Sequence, residues 1–99
     1  IAAAQAPGDE EVARRFAAVR WEKAIACADY AEQVRIAGRA GFAVDDGYTH
    51  IGICTLAAVI PQRGAEYCLS ASCFAGVRKS ADLTALGRAL VDLADSAVA

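Results

Sequence analysis

Ninety-nine residues make a single domain with room for one modest core, since 25 of them are Ala and only 27 are Val, Ile, Leu, Phe, Trp or Tyr. The net charge is −2, with ten basic and twelve acidic residues interleaved, which leaves no electrostatic footprint for DNA or RNA. No apolar run approaches the ~20 residues that span a bilayer.

Residues 1–8, IAAAQAPG, are small and uncharged and carry too little apolar mass to be held down. They read as a flexible lead-in to one α+β domain over 9–99. Asp9 can cap a helix that starts there, with Glu10 and Glu11 complementing the positive end of its dipole. Val12, Phe16 and Val19 recur at helical spacing and share one face.

At residues 20–28, RWEKAIACA, periods of 2 and 3.6 both fit. A continuous helix would run to nearly thirty residues, far beyond the usual ~11–12. The strand reading is the more economical: it places Cys27 on a strand and makes Asp29 the cap of a second helix, with Tyr30, Val34 and Ala37 inward and Gly38 or Gly41 as its end. The sole Trp, Trp21, reads as a core residue rather than a recognition patch with Arg20 and Lys23.

Residues 42–47, FAVDDG, read as a connection closed by the turn dipeptide Asp46-Gly47. Two hairpin arms follow, over about residues 49–60 and 65–74, joined by the turn-forming Pro61-Gln62-Arg63-Gly64. The first arm is nearly continuous in apolar residues, as a central strand would be; the second is more peripheral. Ser80 or Asp82 then caps a final helix whose Leu83, Leu86, Leu90 and Leu93 form an aliphatic stripe, and Gly87 within it can permit close packing on the sheet. The predicted architecture is a small antiparallel sheet built on a central β-hairpin, with the Cys27 segment added, packed by amphipathic helices as an α/β sandwich and stabilised by disulfides.

Four cysteines, Cys27, Cys54, Cys68 and Cys73, form a disulfide framework in an extracellular chain, or metal ligands and buried thiols in a cytosolic one. The chain starts at Ile1 and contains no Met, so removal of a signal peptide accounts for both the start and the cysteines; the rival is a domain cut from a longer intracellular protein. Cys68 and Cys73 differ by five and point to opposite faces of an unbroken strand, so they do not pair with each other. The preferred pairing is Cys27 with Cys73 and Cys54 with Cys68. With no Asn, a secreted form would carry no N-linked sugar.

The competing metal reading uses His50, Cys54, Cys68 and Cys73, with His50 and Cys54 on one strand face. Their spacing matches no common finger and strands Cys27. The acidic pairs at Asp45-Asp46 and Asp9 to Glu11 are explained by a turn and a helix start, and Gly38-Arg39-Ala40-Gly41 lacks the glycine spacing of a phosphate loop. No residue makes a catalytic constellation, and no cofactor is implied.

In its order of elements the chain resembles the KP6-type killer-toxin and fungal-effector family of small secreted α/β sandwiches, over residues 21–98. With the cysteine framework, that favours a secreted, disulfide-stabilised, non-enzymatic protein that binds a partner protein or cell surface as an effector or toxin-like factor, monomeric or weakly homodimeric. Two alternatives are a carrier of an apolar molecule or haem, contacted by His50 or Tyr67, and an intracellular metal-binding domain.

Overall fold

The computed structural model describes residues 8–61, 67–76 and 79–96; most of the lead-in, residues 62–64 of the expected hairpin turn and residues 65–66 of its second arm lie outside them. Its elements are α1 (Asp9–Ala18), α2 (Cys27–Ala40), β1 (Ala43–Asp46), β2 (Ile53–Val59), β3 (Cys68–Phe74) and α3 (Ser80–Ser96). Helices with an antiparallel sheet bear out the α+β class.

α1 starts where the acidic run predicts, but Gly8 occupies the cap position and no side chain caps it. Asp9, Glu10 and Glu11 instead fill the first turn, where their charge suits the helix dipole. Glu11 also draws in Arg14 at 2.8 Å and Arg15 at 3.1 Å.

Residues 19–26 form neither the long helix nor the strand that the sequence allows. Within this segment Glu22 and Lys23 are tied to the loop between β1 and β2. The amides of Glu22 and Lys23 both donate to the Tyr48 carbonyl at 3.0 Å, Glu22 Oε1 accepts the Ile51 amide at 3.1 Å, and Lys23 Nζ lies 4.7 Å from the centre of the Tyr48 ring. Those two amides, committed there, cannot also build a ladder. Cys27 therefore opens α2 rather than joining the sheet, and Asp29 sits in the first turn of that helix instead of capping it. Gly41 ends α2 in the left-handed region, φ +88°, its amide donating to the Ala37 carbonyl at 2.9 Å.

The third strand comes from the segment expected to be a connection. β1 pairs antiparallel with β2, which pairs antiparallel with β3, in the order β1-β2-β3. β2 is thus central, as its apolar run predicts. Its alternate residues Cys54, Leu56 and Ala58 are buried beneath α3, meeting Leu90 and Ala94. Leu56 is fully enclosed, which contributes roughly 1.5–3 kcal/mol. The α3 stripe drifts as a 3.6-residue period must: after Leu90 the inward position is Ala94, and Leu93 is 59% exposed. α1 packs on α2, and α2 on β1, leaving the face of the sheet opposite α3 partly open.

Candidate functional site

On that open face the strand register lines up a row of polar side chains. Asp45 of β1 lies opposite Thr55 of β2, and Thr55 lies opposite Ser72 of β3. Thr55 Oγ1 and Ser72 Oγ are hydrogen-bonded at 2.9 Å. The Asp45 carboxylate accepts the Tyr48 amide at 2.9 Å, the Thr49 amide at 3.4 Å and the Thr49 hydroxyl. It thereby folds the loop back over the end of the sheet, which sets Thr49 and His50 at the rim of a pocket.

The opposite wall is aromatic and aliphatic. Phe16, Trp21 and Tyr30 pack in a three-way cluster with centroids 5.6–5.7 Å apart. Trp21 Nε1 donates to the Phe16 carbonyl at 3.1 Å, so the indole keeps a polar partner while half-buried. α2 adds Gln33, Val34 and Ala37, and the sheet adds Ala43, Thr55 and Ala57 as the floor. The space is about 480 Å³, open to solvent on one side and within the range of small-molecule sites. A mostly apolar lining with Asp45, Thr49, His50 and Thr55 on the sheet and loop side and Gln33 on the α2 wall suits a compact, largely apolar molecule with a few polar groups.

The cysteines form no cluster of three, although Cys54 and Cys73 face each other across β2 and β3. All four are free thiols and no disulfide is formed: Cys27 and Cys68 are exposed, Cys73 is half-buried and Cys54 is buried. The ladder is unbroken, so Cys68 and Cys73 do point to opposite faces. The residue facing Cys54 is Cys73, however, and Cys68 faces Val59. The register therefore does not favour the Cys54–Cys68 pairing. Burial, then the Asp46 carboxylate and Cys73, push the Cys54 thiol from about 9 up to about 11.

His50 lies in the turn before β2, not on a strand, and its carbonyl accepts the Ile53 amide. It therefore does not share a strand face with Cys54. Among the described residues no group of three or more His, Cys, Asp or Glu is placed to hold a metal. Of the two contacts expected for an apolar ligand, His50 lines the pocket, whereas Tyr67 stands 61% exposed just before β3. In the sequence Asp45 reads as part of a turn, and Thr55 and Ser72 have no place among the candidate residues. The alternation of Leu69 and Ala71 with Ser70 and Ser72 carried the signal of a half-polar strand face.

No helix among the described residues is long and apolar enough to cross a membrane. No family model matches the chain, and no curated protein matches it by sequence, so the resemblance to killer toxins gains no support there. Solved structures do share its fold. One is the Agobacterium tumefaciens repressor BlcR, with a TM-score of 0.75 at 16% identity, covering 95% of this chain and 40% of that one. The chain thus spans well under half of the repressor's length, and the likeness is one of fold.

Proposed function

We propose that this chain is a small-molecule-binding module, and that in a protein built like the repressor it serves as part of the unit that senses a ligand. The observation that carries the reading is the pocket between α2 and the open face of the sheet, about 480 Å³ with the Asp45–Thr55 pair at its polar side. Its lining is mostly apolar, which favours capture over chemistry. Asp45, its carboxylate, is engaged by Tyr48 and Thr49, a positioning role rather than that of a proton acceptor. The fold shared with part of a repressor agrees with a regulatory use of such binding, and the interleaved charge argues against nucleic-acid contact by this chain itself.

The test is a two-dimensional amide NMR titration of the labelled chain with a panel of small aliphatic and aromatic alcohols, amides and carboxylates. The reading expects at least one compound to shift the amides of Gln33, Ala43, Thr55 and Ala57 together and saturably. If no compound shifts them, or shifts fall elsewhere on the fold, the reading fails.

A further inference from the structure

The two edges of the sheet are built differently. β1 is four residues long and two of them are Asp, the brevity and charge by which natural sheets guard an edge. β3 is seven residues long, CLSASCF, with no charge and no proline. The Ala75 amide donates to the Gly52 carbonyl and the Ile60 amide to the Tyr67 carbonyl, both at 2.8 Å, which fixes the phase of the ladder. Leu69, Ala71 and Cys73 aim their backbone groups at β2, so those of Cys68, Ser70, Ser72 and Phe74 aim away from the sheet. The side chains beside this edge are also uncovered: Phe74 is 73% and Tyr67 61% exposed.

We propose that a second copy of this chain fills this edge, the two β3 strands pairing antiparallel about a two-fold axis at Ala71. The argument is the self-complementarity of the strand. In that register Ser70 faces Ser72 of the partner subunit, Cys68 faces Phe74 of the partner subunit, and Ala71 faces its own copy. The outward backbone groups of all four even-numbered residues are satisfied together. The close pair on the axis, where Cα atoms of facing strands approach to about 4.5 Å, is the small Ala71. The Ser70 and Ser72 hydroxyls meet on one face, and the exposed Phe74 ring gains a cover. The interface lies at the outer edge of β3, whereas the pocket is floored by residues of β1 and β2 and stays open.

Sedimentation velocity over a wide concentration range, with amide hydrogen exchange on the same samples, tests this. The expected result is a reversible dimer, with the Ser70 and Ser72 amides becoming protected as concentration rises. Ser70→Pro removes an outward N–H without touching the β2–β3 ladder, and weakens association at least ~10-fold while helical circular dichroism is retained. Should that variant misfold, S70K and S72E serve instead: mixed together they form more dimer than either alone, because opposite charges then face each other across the axis. A chain that stays monomeric at every concentration overturns the proposal. So does a dimer whose protection lies off β3, or protection of Ser70 and Ser72 that does not change with concentration.

Discussion

Gly87 of α3 lies directly against the ring of Phe42: a Cβ placed on Gly87 would fall 2.3 Å from Phe42 Cε2. The glycine thus lets the helix close onto the residue that leads into β1. Gly87→Ala gains about 1 kcal/mol of helix propensity but forces an overlap that costs about 1–3 kcal/mol. The expected outcome is a net loss of about 1 kcal/mol in urea denaturation. Phe42→Leu in the same chain recovers part of it, a coupling that a double-mutant cycle measures directly.

Asp45 organises the loop at the mouth of the pocket. Asp45→Ala removes the acceptor for the Tyr48 and Thr49 amides and the Thr49 hydroxyl, and costs about 1–2 kcal/mol. Exchange of those two amides accelerates more than that of β2. Equal acceleration everywhere would mean that the carboxylate supports the whole fold rather than the loop.

The Cys54 thiol is held neutral in the folded chain. A folded pKa raised to about 11 means that this contribution is intact below the ordinary value near 9 and is lost as pH rises from there through 11, because the unfolded chain ionises first. Wild type therefore loses stability relative to Cys54→Val over that interval. At pH 8, iodoacetamide followed by mass analysis labels Cys27 and Cys68 in the native protein, and Cys54 only after denaturation.

Trp21 reports on its own cluster. Phe16→Ala removes both a ring contact at 5.6 Å and a neighbour of Tyr30, at a cost of about 1–2 kcal/mol for a half-buried pair. The emission of the single Trp shifts to the red. An unchanged spectrum would show that water already reaches the indole.

What the sequence made legible was whatever local periodicity dictates. β2 as a central strand, α2 ending at glycine, the face opposition of Cys68 and Cys73 and the core role of Leu90 follow from spacing alone. What it hid depends on partners far along the chain. Residues 20–26 match two periods and use neither: the Glu22 and Lys23 amides go to Tyr48, and the Glu22 carboxylate takes the Ile51 amide. Asp45 and Asp46 read as a turn because aspartate is poor in strands, yet β2 recruits both, and the Asp45 side chain caps the turn that follows. The polar row could not be seen before the register was known, since Asp45, Thr55 and Ser72 lie on separate strands.

The pocket itself is tested most directly by filling it. Ala57 lies on its floor, and Ala57→Leu occupies the space from the sheet side while leaving Cys54, Leu56 and Ala58 to the core. Trp21 emission is followed as the compounds found by NMR titration are added to the wild type and to this variant. Ligand capture between α2 and the sheet predicts a saturable change in the wild type that is lost, or at least ~10-fold weaker, in A57L; an equal response from both chains would contradict it.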